Sequence, residues 1–186
     1  MGRSYEVDAY PRVRGNLMVG EGASGQIHRM PQMKPFGSGH AALRRARVSN
    51  AHQIYHLTMT TFRRRRIFEN CEAACAAARC FDDTRYLLQS QMLAWVLMPD
   101  HAHCLLSLGD GDSLAAVVTR LKGATARAAN AALGRRGQLW SRAFHDHGMR
   151  TDEGVIATAR YLVANPIRAG MVKRIGDYPF WNAIWL

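Results

Sequence analysis

The rhythm of hydrophobic and polar positions changes at about residue 50. From Gln53 the segment IYHLTMTTF (54–62) alternates and is rich in β-branched and aromatic residues, which predicts a strand. FENCEAACAAARCF (68–81) predicts a helix, because Ala and Glu dominate and neither Gly nor Pro interrupts it. LLQSQMLAWVLMP (87–99) is largely apolar and fits either element alone; Pro99 and the segment after it favour a strand. HAHCLLSL (101–108) reads as a second strand, joined to the first through a turn at Met98-Pro99-Asp100. A turn at 109–113 supplies an N-cap, Asp112 or Ser113, for a long helix with a basic face over 114–133, ended by Gly134. RAFHDHGMR (142–150) predicts a short strand. A final helix runs over 151–165, with Thr151 as N-cap and Asp152 and Glu153 in the first turn, where the helix dipole favours them. It stops at Asn165-Pro166, because proline disfavours helix in the residue before it.

The order β-α-β-β-α-β-α gives an α+β class: a ferredoxin-like antiparallel sheet with helices on one face, plus an added C-terminal helix. Residues 1–48 have many Gly, Pro and polar positions and no sustained period, so they are expected to form a flexible basic N-terminal arm ahead of a domain over 49–186.

Charge narrows the partner class. The 186 residues carry 25 Lys and Arg against 14 Asp and Glu, a formal net charge of +11, which calls for a polyanionic partner. Seven basic residues (Arg120, Lys122, Arg127, Arg135, Arg136, Arg142, Arg150) and one acidic residue, Asp146, lie between Ser113 and Arg150. Arg63, Arg64, Arg65 and Arg66 form a second block directly after an apolar segment. No run of about 18 apolar residues or secretory leader is present, so the expectation is a cytoplasmic, nucleoid-associated protein that binds nucleic acid and no membrane. Cys71, Cys75, Cys80 and Cys104 do not match zinc spacings and are assigned no chemistry.

His101 and His103 are separated by one residue on a predicted strand, so both imidazoles face the same side and can reach one divalent cation, while Ala102 points into the core. Tyr161 and Asn165 lie four apart on the last predicted helix and share a face, where a nucleophile and a third metal ligand can meet; a half-buried core tyrosine is the bland alternative. His145 and His147 also alternate to one side if their segment is a strand, and His56 joins them if its strand neighbours the histidine pair. These three are possible supporting residues or ordinary surface positions.

Together these segments resemble the REP-associated tyrosine transposases, relatives of the single-tyrosine insertion-sequence transposases. MPDHAHCLLSL looks like their HUH segment (His, hydrophobic, His). ARYLVANPIRAGMV looks like their nucleophile helix, and IYHLTMTTFRRRRIF and the segment from Trp140 to Arg150 resemble the opening strand and the stretch before that helix. The likeness runs from about Gln53 to Val172. Two departures, the small Ala102 inside the triplet and the long N-terminal arm, remove no reactive group.

The resemblance implies Mg²⁺ or Mn²⁺ held by His101 and His103, with Asn165 as an amide ligand and Tyr161 as the nucleophile on the C-terminal helix. It implies cleavage and rejoining of single-stranded or hairpin DNA at REP-type elements through a 5′-phosphotyrosine. Phosphate contacts are expected from Arg63, Arg64, Arg65, Arg66, Arg120, Lys122, Arg127, Arg142 and Arg150. Monomer and homodimer both remain open. Three other readings stand beside this one: a structured-nucleic-acid binding module on the same fold, a phosphodiesterase that uses water with Tyr161 only structural, and a protein with a basic surface and a chance His-x-His.

Overall fold

A computed structural model describes residues 50–149 and 152–185 of the chain. The expected N-terminal arm, Arg150 and the expected N-cap Thr151 lie outside the described residues. The elements follow in the order β1 (Ile54–Thr60), α1 (Cys71–Ala78), α2 (Thr84–Leu87), β2 (Gln91–Met98), β3 (His101–Ser107), α3 (Leu114–Ala132), β4 (His145–Gly148), α4 (Asp152–Val163), α5 (Asn165–Arg168) and β5 (Trp181–Ala183).

The five strands form one antiparallel sheet in the order β4-β1-β3-β2-β5. This is the expected α+β architecture, extended by an edge strand that the sequence pattern did not announce. β5 is three residues long and too short to show a period of two. The apolar stretch from Leu87 divides: Leu87 ends α2, Leu88 takes a left-handed φ of 54°, and the strand begins at Gln91.

Alternation along the strands splits the sheet into two faces. Leu57, Met59, Leu97, Ala102, Cys104 and Leu106 are fully buried. On the same face, the ring of Trp95 stacks on Phe81 just beyond α1 (5.0 Å between centroids), and its indole N–H donates to Asp82. Helices α1 and α3 pack together as the cover of this face, with Val117, Val118 and Leu121 buried. Ser113, not Asp112, caps α3 by accepting from the backbone N–H of Ala116. Gly134 at φ 58° closes the helix as expected: its N–H donates to the Ala131 carbonyl and that of Arg135 to Asn130, which is a Schellman end.

The C-terminal helix α4 packs against β2, β3 and β5 through Val155, Ala159, Leu162 and Val163, all buried. The burial of Cys104 and the nearby Asp82 carboxylate push the Cys104 thiol up from its ordinary range, and burial raises Cys75 and Cys80 as well. Those three thiols stay protonated at neutral pH, in keeping with cysteines that serve only packing. Among the described residues no helix is long and apolar enough to cross a membrane.

Candidate functional site

Register decides which polar groups meet. β1 pairs with β3 so that Thr60 lies opposite His101, Thr58 opposite His103 and His56 opposite Leu105. On the other side of β1, His145 lies opposite Thr58 and His147 opposite His56. Residues directly opposed in an antiparallel ladder project to the same side. The face away from α1 and α3 therefore carries His101, His103, His56, His145, His147, Thr58 and Thr60. The rings of His101 and His103 are 4.9 Å apart and nearly perpendicular, and His56 lies 5.5 Å from His103. The expectations that the two histidines of the pair share a face, that His145 and His147 alternate to one side, and that the His56 strand neighbours the pair all agree with this register.

Both histidines of the pair have one ring nitrogen committed. His101 Nδ1 lies 2.6 Å from Asp100 Oδ1, and a carboxylate only accepts, so Nδ1 carries the proton and Nε2 is the ring atom left to act as a ligand in the neutral imidazole. His103 Nδ1 lies 3.0 Å from Thr58 Oγ1, and the tautomer that donates to this hydroxyl likewise leaves Nε2 as a ligand atom. Outer partners of this kind fix the ring orientation of metal-binding histidines. Burial, with the charges of His101, His56, Arg168 and Arg64, holds His103 down at about 3, so its imidazole is neutral at physiological pH. His56 is lowered too, by burial first and His147 second, and its Nε2 is buried without a hydrogen-bond partner. Among the described residues no third His, Cys, Asp or Glu joins the pair in a metal-holding group. The shell of any cation held by the pair would have to be completed by an amide, solvent or substrate.

The arginine block sits at the same end of the sheet. The Thr61 N–H donates to the Asp100 carbonyl, and the Thr61 hydroxyl bonds both that carbonyl and the Arg65 carbonyl. Arg63 and Arg64 both adopt left-handed φ values, 57° and 53°, at a cost of roughly 1–2 kcal/mol per residue for a side chain with a Cβ. The turn is held by Arg64 Nε, which lies 3.0 Å from Asp100 Oδ2. Asp100 thus connects the arginine turn to His101.

Tyr161 lies near the end of α4 and is 52% exposed, which excludes a core tyrosine. The helix does not run unbroken to Asn165 as expected: α4 ends at Val163, and Asn165 opens α5 with Pro166 in its first turn. Pro166 has no N–H for the Leu162 carbonyl. Asn165 Nδ2 supplies the missing donor at 2.7 Å, which turns Oδ1 outward, where Arg168 Nη2 donates to it at 2.6 Å. Asn165 thus presents the correct atom for a ligand, although here that atom is engaged by Arg168.

The expected phosphate-binding residues divide into two groups. The side chains of Arg63, Arg65, Arg127 and Arg142 are exposed or partly so and form no ion pair among the described residues, while Arg66 pairs with Glu69. Arg120 and Lys122 are committed within the fold. Arg120 bonds the Asp112 carboxylate and the Tyr86 carbonyl, and Lys122 Nζ donates to the carbonyls of Ser141 and Ala143. Arg150 lies outside the described residues. Sequence reasoning did not single out Asp100, Thr58 or Arg168. Asp100 had a signal in its adjacency to His101, and Arg168 in its place within the NPIRAG segment; Thr58 had none before the register was known.

Comparison with known proteins places this geometry in a family. A family model described as IS200-like transposase matches residues 49–163, more than half of the chain. The chain is similar to a REP-associated tyrosine transposase of Escherichia coli (strain K12), at 28% identity over 88 residues, covering 47% of this chain and 50% of that protein. It is also similar to a putative REP-associated tyrosine transposase of Haemophilus influenzae, at 27% identity over 100 residues, covering 48% of this chain and 57% of that one. It thus spans about half the length of the curated relatives it matches. A solved structure of a REP-associated tyrosine transposase bound to a REP hairpin shares the fold, with a TM-score of 0.56 at 23% identity, covering 73% of this chain and 79% of that one. The chain belongs to the family of IS200-like transposases.

Proposed function

We propose that the protein is a metal-dependent single-stranded DNA endonuclease and strand transferase that acts at REP-type hairpins through a 5′-phosphotyrosine. The observation that carries this reading is the histidine pair: both Nδ1 atoms are tied down, and both Nε2 atoms are free on a sheet face beside the helix of an exposed tyrosine. A bound Mg²⁺ or Mn²⁺ would neutralise charge on the non-bridging phosphate oxygens and orient the phosphorus for attack. His101 and His103 are the residues that would hold it, with Asn165 Oδ1, whose carbonyl oxygen has a second lone pair to offer, as third donor.

The Tyr161 hydroxyl gives up its proton to solvent and attacks the phosphorus. The Tyr161 Oη–P bond forms as the P–O3′ bond breaks, and the departing 3′ oxygen takes up a proton to become a free 3′-OH. The phosphate stays on the tyrosine at the 5′ side. Because the exchange conserves one phosphodiester-type bond, a second 3′-OH can reverse it and join strands. Hairpin DNA is the substrate class favoured here because of the net charge of +11, the cations Arg63 and Arg65, which form no ion pair among the described residues and lie in the turn tied to Asp100, and the hairpin-bound relative.

The test is incubation of the full chain with end-labelled single-stranded hairpin DNA and Mn²⁺, resolved on a denaturing gel. A covalent protein–DNA band is expected, and it should disappear in Tyr161→Phe and His101→Ala. Cleavage that survives Tyr161→Phe without an adduct sinks the tyrosine mechanism in favour of a phosphodiesterase using water. Binding without any cleavage favours a second reading, a structured-nucleic-acid binding module on the same fold.

A further inference from the structure

One cation beside Tyr161 has no part in the scheme above. Arg168 follows Tyr161 by seven residues across the break between α4 and α5, and its guanidinium carbon lies 3.6 Å from the centroid of the Tyr161 ring. Arg168 Nη1 donates to the Tyr161 carbonyl at 2.5 Å, and Nη2 donates to Asn165 Oδ1 at 2.6 Å. One planar group therefore covers the phenol, grips the backbone of the residue that bears it and holds the neighbouring carboxamide.

The local sequence builds this arrangement. Asn165 bonds the Leu162 carbonyl that Pro166 leaves without a donor, so the carboxamide has only one productive orientation. Gly170, at φ 67°, then ends α5: its N–H donates to the Ile167 carbonyl and that of Met171 to Pro166. A side chain with a Cβ is strained at that φ, and the closure sets Arg168 in the last helical turn, facing back toward Tyr161.

We infer that Arg168 is a positioning residue that locks the Tyr161 ring and the Asn165 carboxamide into one unit with a fixed mutual orientation. The inference rests on the tyrosine reading above and adds a residue to it. An exposed phenol is free to change rotamer, and the flat guanidinium removes that freedom at one face of the ring. Positioning of this kind is worth a great deal to a reaction that depends on alignment with a phosphorus atom: misplacement by about 1 Å costs on the order of a hundredfold. Lysine cannot replace it, because an ammonium has neither the planar face for stacking nor the fork that reaches two acceptors together.

The experiment measures single-turnover adduct formation on a REP-type hairpin with Mn²⁺, over a range of DNA concentrations, for wild type, Arg168→Ala and Arg168→Lys. Both variants should form adduct about 10- to 100-fold more slowly at saturating DNA, with less than about a threefold change in the DNA concentration for half-maximal rate. A wild-type rate in Arg168→Ala overturns the inference. So does full recovery in Arg168→Lys, which would assign the effect to charge alone. A second readout does not require catalysis: in protein with ¹³C-labelled tyrosine, the ring signals assigned through Tyr161→Phe should shift and average in Arg168→Ala. If wild type forms no adduct, the proposed function fails, and the ring signals still decide the inference; signals unchanged in Arg168→Ala overturn it.

Discussion

The two faces of the sheet are made from alternate residues of the same strands, and they do different work. In β3, Ala102, Cys104 and Leu106 point under α1 and α3 and are fully buried, whereas His101 and His103 point to the other side and keep partial access. The neighbouring strand β1 repeats the division, with Leu57 and Met59 fully buried beside Thr58 and His56, whereas β2 is buried on both faces. A period of two lets stability be assigned to one set of positions and chemistry to the other, one residue apart. Conversely, a slip of one residue in the β1–β3 register would send the histidines into the core, so the close packing of the dry face is what fixes the polar face.

The largest expected effect follows from exchanging damage between the faces. Leu106→Ala should destabilise the fold by about 2–5 kcal/mol, through lost transfer energy and a cavity, while leaving adduct formation by the folded fraction near wild type. His103→Ala should do the reverse: adduct formation falls on the order of a thousandfold, and stability changes by only about 1 kcal/mol, the worth of a hydrogen bond to Thr58. Denaturant unfolding and the gel assay, run on both variants, make the comparison. If His103→Ala unfolds the protein as readily as Leu106→Ala, the two faces are not separate in function.

A smaller effect comes from the partner behind the histidine face. Asp100 accepts from His101 and pairs with Arg64 while its backbone carbonyl anchors Thr61. Asp100→Asn keeps the backbone anchor and removes the charge. Loss of an outer carboxylate of this type typically weakens metal affinity by 10- to 100-fold, so Mn²⁺ binding followed by calorimetry should weaken by about that factor. Unchanged affinity would mean that His101 does not ligate the ion, or that its orientation is fixed by packing alone.

How legible the two faces were in the sequence differs for physical reasons. The dry face was readable because burial imposes a pattern on a single strand, and the spacing of His101 and His103 put them on one side by the same rule. What sequence could not supply was pairing. Thr58 is an unremarkable threonine until register places it opposite His103, and His56 gains meaning only beside His147. Charge was misleading in a similar way. Arg120 and Lys122 look like members of a basic face on a long helix, yet a sequence does not show that Asp112, Tyr86 and the 141–143 backbone take up their donors. The break after Val163 was visible as Asn-Pro, but not the repair of it by the Asn165 side chain, because a side-chain bond to the helix leaves no periodic trace. β5 was missed since three residues cannot show alternation.

The smallest predicted effect tests that distinction among the cations. Arg65 is exposed, lies in the turn tied to Asp100 on the histidine side and has no ion-pair partner among the described residues; Arg120 belongs to α3, over the dry face, and its guanidinium is already occupied. A phosphate contact releases counterions, so its loss reduces the slope of log K against log salt by about one for each contact removed. Arg65→Ala should therefore lower the slope of hairpin binding by about one and leave the melting temperature unchanged. Arg120→Ala should leave the slope unchanged and lower the melting temperature, since the nearly buried Asp112 carboxylate loses its partner. Titrations at four or five salt concentrations resolve the difference. Equal slopes for wild type and Arg65→Ala, with a reduced slope for Arg120→Ala, would move the DNA from the histidine side of the sheet to the helical side.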